Sequence, residues 1–214
     1  TTPEMLKLLE RVRNVAQGAA LMTGTEVSDS ILAAVSNILP NDPLCDAMQR
    51  NLDMLGPPPF EEDDFAYADG FAKTFSNEDI GESYKSVGII PTNDLSLPNF
   101  VVPEGVAPQS LGGSTDVGDV SWVVPTVQMW GGNYAIGTPF HSWQMVAQGK
   151  SPMAYKGLTH AASVMAATAV DVILDSELRA KALVDLKSRV GSDGYICPLP
   201  EGSSPPIEAM GGHL

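Results

Sequence analysis

From Tyr155 to Asp175 the chain reads as a helix of Ala, Val, Met and Leu that is apolar almost all the way round. No other segment constrains the fold as strongly. A helix without a wet face has to be covered on several sides, and its many alanines allow close approach by whatever covers it. The expected cover is a β-sheet, which points to α/β architecture.

The elements around it are read by period and punctuation. At the front, Thr2 suits an N-cap, Pro3 the first helical position and Glu4 the first turn. Leu6, Leu9, Val12, Ala16 and Ala20 then keep helical spacing until Thr23-Gly24. Thr25 to Leu39, rich in Val, Ile, Ser and Ala, reads as a strand or two short extended pieces. Asp42 is expected to cap a second helix with Pro43 at its first position, ended by Gly56-Pro57-Pro58-Pro59. The acidic run Glu61 to Asp64 opens a short helix through Phe65 to Phe75. Residues 76–113 lack periodicity and read as irregular. Val120 to Pro125 leads into the apolar stretch Thr126 to Trp130, which is short enough to be a buried strand. Glu177 to Val190 closes the series as an amphipathic helix, before a Pro/Gly-rich tail.

At 214 residues the chain suffices for one large domain, or for one domain and part of another. Its 26 acidic residues against 12 basic give a net charge of −14, which repels nucleic acid and anionic membranes. No apolar run reaches the roughly 18 residues expected of a membrane span. Cys45 and Cys197 stand far apart in no motif, so reduced thiols in a cytoplasmic protein are the expectation.

The residues with chemistry gather around two turns. Gly113, Ser114, Thr115 and Asp116 form a glycine loop whose amides and hydroxyls suit an anion. It lacks the lysine of a phosphate-binding P-loop and the spacing of a dinucleotide fingerprint. Some 25 residues past it, His141 follows the turn Gly137-Thr138-Pro139, where an imidazole can serve as a metal ligand. One histidine is not a metal centre, since catalytic zinc takes about three protein ligands. His160, within the apolar helix, reads as a hydrogen-bonded boundary residue, and His213 as part of the tail. Trp122, Trp130 and Trp143 flank these turns, either as walls of an aromatic pocket or as core.

Three stretches together carry a resemblance: Ser114-Thr115-Asp116-Val117-Gly118-Asp119-Val120-Ser121-Trp122, then Ala135-Ile136-Gly137-Thr138-Pro139 with His141 and Trp143-Gln144, then Ala154 to Thr168. Residues 112–175 resemble the C-terminal part of the di-metal amidohydrolases that include aminoacylases and carboxypeptidases. Within these the likeness is to the p-aminobenzoyl-glutamate hydrolase branch, its B-type subunits in particular. Upstream, Glu4-Met5, Gly18 to Thr23 and Leu39-Pro40-Asn41 resemble the same branch.

The resemblance implies a zinc-peptidase-like α/β catalytic domain interrupted by a ferredoxin-like lid domain that mediates dimerisation. Residues 1–40 would be the end of the lid, and residues 41–214 the second half of the catalytic domain. His141 matches the family's C-terminal metal ligand. Gly113, Ser114, Thr115 and Asp116 match a loop lining the substrate cleft, which Gly137 and Thr138 are expected to line as well. His141 is therefore expected at the mouth of a cleft with the Gly112–Asp116 loop close by. The other ligands and the glutamate base of the family precede the first residue of this sequence.

The implied chemistry is hydrolysis of the amide of an N-acyl amino acid, such as p-aminobenzoyl-glutamate or a dipeptide, with a divalent metal, zinc or manganese. Partners would be the small-molecule substrate and either a second copy of the chain or the missing N-terminal half. A non-catalytic interaction or dimerisation module is the competing reading. An independent enzyme built on the glycine loop and Asp116 has too few ligand candidates.

Overall fold

The computed structural model describes residues 2–90, 95–106, 115–205, 207 and 211. Among the described residues there are eight helices and no β-strand, so the α/β expectation is overturned. The helices are α1 Thr2–Thr23, α2 Asp42–Leu55, α3 Glu62–Ala72, α4 Asn77–Ser86, α5 Val117–Ser121, α6 Trp143–Gln148, α7 Pro152–Leu174 and α8 Ser176–Val190. The chain divides into two compact units: Thr1–Leu39 with Gly113–Pro125 and Leu186–Leu214, and Pro40–Gly112 with Thr126–Asp185.

In the first unit, α1 ends at Gly24, whose φ of 65° is a conformation that costs other residues more. The returning segment is tacked to α1 by the Arg13 guanidinium, which donates to Asp29 at 2.7 and 3.0 Å. Residues 25–39 were expected as strand, and the reason they form none lies in where their polar groups go. The Ser36 amide and hydroxyl donate to the Asp119 carboxylate at 3.3 and 2.7 Å. The Leu39 amide donates to Ser121 Oγ at 2.9 Å, and the Trp122 indole donates to the Asn37 carbonyl at 2.9 Å. Side chains of α5 and its flank thus take groups that a ladder would otherwise pair. Gly118 permits this approach: a Cβ there would stand 1.9 Å from the Ser36 carbonyl oxygen.

In the second unit, the cap of α2 is Asn41, one residue before the expected Asp42. Its buried side chain accepts from Leu44 N and donates to the Ala182 carbonyl at 2.9 Å. Gly56, at φ 71°, stops the helix. α3 begins with a reciprocal cap between Glu61 and Asp64. α4 falls in the segment expected to be irregular. It starts because Ser76 and Asp79 cap each other, a pairing too short to show as periodicity.

Leu44 and Ala47 of α2 pack with Leu178 and Ala182 of α8, with Val127 and Val172 against them. A second core joins Ala68, Leu97, Ala135 and Met153, ringed by Phe60, Phe65, Phe71 and Phe75. Val127 shows what became of the expected strand at Thr126 to Trp130: it reaches the helix core from non-regular backbone. The next residues lie directly on α7, where a Cβ on Gly157 would stand 2.4 Å from the Gly132 carbonyl oxygen. One side of the alanine-rich helix is therefore met by an irregular chain, not by a sheet.

α7 has one satisfied polar face. Asn51 of α2 donates to its Thr168 and Asp171 at 3.3 and 2.7 Å, and its Lys156 pairs with Asp64 and Glu61. Burial pushes the Asp64 carboxyl up, but the Glu61 amide and the Lys156 ammonium outweigh it, leaving that carboxyl below its ordinary value. Only 17% of the helix's most apolar stretch is buried, and Leu158, Met165, Ile173 and Leu174 are exposed. By length and composition α7 is long and apolar enough to cross a membrane, contrary to the reading that no run reaches that length. Its Lys, His, Thr and Asp interrupt the run in sequence, yet too few are charged to lower it below a span's apolarity.

Candidate functional site

The turn carrying His141 belongs to the second unit and is built by the residues on either side of it. Gly137 is buried at φ 96°, and a Cβ would meet Ile80 Cγ1 at 2.8 Å and Phe75 at 3.0 Å. Only glycine suits both the conformation and the space. The Gly137 amide donates to Ser83 Oγ of α4 at 3.0 Å, and the Ile136 amide to the Ser96 carbonyl at 2.8 Å. The Thr138 amide and hydroxyl both return to the Ala135 carbonyl, at 3.0 and 2.7 Å. Pro139 continues the turn. Ser142 closes it by donating from Oγ to the Pro139 carbonyl at 2.6 Å while capping α6 through the Met145 amide.

His141 sits on this turn, exposed, at φ 58°. Among the described residues it is the one non-glycine with positive φ. Histidine is among the residues that tolerate the left-handed region, but at a cost, and such a conformation persists where neighbours enforce it. Phe140 beside it meets Trp130 edge to face, with ring centroids 6.3 Å apart, and Trp143 lies 6.2 Å from Phe71. Trp130, Phe140 and Trp143 are all exposed, so these rings are not core. Trp122 lies in the first unit, on the Asn37 carbonyl.

The structure brings Gly137, Thr138 and His141 together on one turn. Thr115 and Asp116 belong to the first unit and precede α5, where Thr115 Oγ1 accepts from the Val117 amide at 3.3 Å. Asp116 is exposed, and Gly113 and Ser114 lie outside the described residues, as does His213. His160 is hydrogen-bonded through Nε2 to the Gly56 carbonyl at 2.7 Å. Among the described residues no group of three or more His, Cys, Asp or Glu side chains is placed to hold a metal ion.

Two polar residues went unnoticed in the sequence. Gln148, the last residue of α6, is fully buried and bound to the His141 turn. Ser83 holds Gly137 from α4, a helix that hydrophobic period does not mark in the sequence. The one sequence signal for Gln148 is its spacing, four residues after Gln144 on the same helix face.

Comparison with known proteins adds one match. Over 216 residues the chain is 35% identical to the B-type subunit of p-aminobenzoyl-glutamate hydrolase from Escherichia coli strain K12. The match takes in 95% of this chain and 45% of the relative, so the chain spans less than half the relative's length. No family model matches the chain. No solved structure matches it either. Within the matched portion lie the clamped turn and the α5 loop, so over nearly its whole length this chain is similar to part of the B-type subunit of p-aminobenzoyl-glutamate hydrolase.

Proposed function

We propose that this chain is part of a metal-dependent amidohydrolase that cleaves the amide of an N-acyl amino acid, with p-aminobenzoyl-glutamate or a dipeptide as candidate substrates. The observation that carries the reading is 35% identity to a named hydrolase along 95% of the chain. His141 takes the role of one metal ligand, for zinc or manganese. Its exposed imidazole on an enforced turn fits a single ligand, while the absence of a three-residue ligand group among the described residues does not fit a whole centre. The other ligands and the general base are assigned to the part of the family's length that this chain does not match. When bound, such a metal supplies an activated water and polarises the amide carbonyl.

The cleft residues in this reading are Gly113, Ser114, Thr115, Asp116, Gly137 and Thr138. The exposed Trp130–Phe140 pair offers ring faces to an aromatic acyl group. Cytoplasmic residence belongs to the same reading and rests on the two scattered cysteines. The test has two arms. The chain alone, titrated with zinc or manganese, is expected to bind weakly and to leave p-aminobenzoyl-glutamate intact. His141→Asn, introduced into a full-length active family member that carries this sequence, is expected to lower turnover at least about 100-fold. Turnover by the isolated chain, or full activity of the substituted enzyme, refutes the assignment.

One observation favours a second reading, that of an association module. Met5, Leu8, Val12, Val15, Ala19 and Met22 of α1 repeat at alternating three and four residues, and all are exposed. That is the seam of a helix pair, and a second copy of the chain can supply its partner. Light scattering is expected to give a dimer of the 22.6 kDa chain that Val12→Glu with Val15→Glu converts to a monomer. A monomeric parent protein rules this reading out.

A further inference from the structure

We infer that Gln148 is the positioning residue for His141, holding from beneath the turn that presents the imidazole; the inference rests on the reading of His141 as a metal ligand. Gln148 is fully buried at the end of α6, and its side-chain amide is closed by three hydrogen bonds. Its Oε1 accepts the Ala135 amide at 2.8 Å. Its Nε2 donates to Thr138 Oγ1 at 2.9 Å and to the Gln144 carbonyl at 3.0 Å. Two of these bonds therefore run from the end of α6 to the start of the His141 turn.

The far end of the turn is fastened to the beginning of the same helix. Ser142 donates to the Pro139 carbonyl, caps α6 at the Met145 amide, and offers its own carbonyl to the Val146 amide. Pro139 to Ser142 is thus a four-residue span with both ends tied to one short helix. His141 lies inside it at φ 58°, a backbone angle that a free loop leaves. A leucine of similar size would fill the site of Gln148 with less desolvation cost, so burial alone does not account for an amide there. A buried amide with both N–H groups donated and its oxygen accepting selects one arrangement of the backbone around it.

The test uses this chain with ¹⁵N-labelled histidine, the His141 ring signals being assigned by their loss in His141→Asn. Gln148→Leu is expected to shift and broaden the His141 signals while the His160 signals stay in place. It should also speed exchange of the Ala135 amide at least about tenfold, since that donor is left without its acceptor. Thr138→Val, which removes a half-buried hydroxyl, is expected to move the His141 signals in the same sense, and Thr138→Ser to restore them. In a merely structural role, Gln148→Leu would lower the melting temperature yet leave the His141 ring as it was. Unmoved His141 signals and unchanged Ala135 exchange, with His160 intact, overturn the inference. If Gln148→Leu fails to fold, the Thr138 pair decides by the same signals. Adding zinc to the parent chain reads the underlying assignment separately. If zinc perturbs no His141 signal while the Gln148 dependence persists, the metal reading fails and the positioning role stands.

Discussion

Gly118→Ala places a methyl group where the structure has a backbone oxygen. The new Cβ would stand 1.9 Å from the Ser36 carbonyl oxygen and 2.9 Å from its carbon. Restoring an ordinary separation of about 3.5 Å requires one backbone to move by roughly 1.5 Å past the other. Four hydrogen bonds cross that contact: two from Ser36 to Asp119, one from Leu39 to Ser121 and one from Trp122 to Asn37. Bonds of 2.7 to 3.3 Å do not survive such a shift together. Each contributes about 1 kcal/mol net, and overpacking costs about 1–3 kcal/mol more, but partial relaxation recovers some of both. The expected loss is about 3–4 kcal/mol, a large share of the about 5–15 kcal/mol available to a domain. Urea unfolding followed through Trp122 emission, in a Trp130→Phe and Trp143→Phe background, reports on the first unit. Gly18→Ala in α1 is the matched control, because a Cβ there meets nothing within 4 Å. It should raise stability by about 0.5–1 kcal/mol through helix propensity. A Gly118→Ala loss under about 1 kcal/mol, with the denaturant slope unchanged, would refute the close approach of α5 to Ser36.

Ser151→Ala removes the hydroxyl that accepts the Ala154 amide at the start of α7 and should cost about 1 kcal/mol, read as a lower urea midpoint in the second unit; no change would mean that α7 starts without its cap. Burial pushes the Asp119 carboxyl up, but the Ser36 and Tyr195 hydroxyls and the Ser36 amide bring it below its ordinary value of 3.8. Its contribution is therefore present in full above about pH 4 and is lost as pH falls through the lower folded value. Asp119→Asn should flatten that acid limb of the Trp122 unfolding midpoint against pH, and an unaltered limb would show that the carboxylate is not what holds Ser36.

Helix ends marked by local chemistry were legible in the sequence, and backbone pairing was not. Pro3 and Gly24 bracket α1, and Pro43 and Gly56 bracket α2, because these residues act on their own backbone and need no distant partner. The Val-containing stretches at 25–39 and 126–130 satisfy the composition of strands, but a strand exists only with a neighbour to complete its ladder. Here Ser36 and Leu39 found Asp119 and Ser121 instead, across more than 80 residues of sequence that no local window connects. α7 misled in a related way: near-uniform apolarity was read as burial, whereas the structure buries one side and leaves Leu158, Met165 and Ile173 exposed. For the candidate site, Gly137, Thr138 and His141 stood out because a turn and an imidazole are short-range signals. Gln148 did not, since a glutamine in a helix ordinarily means a solvated face. What separates it from Gln144 is the Ala135 amide, 13 residues away and delivered only by the fold. The hidden part of this site is thus the part that makes its visible residue rigid, and a polar side chain buried under an enforced turn is where such a part is to be sought.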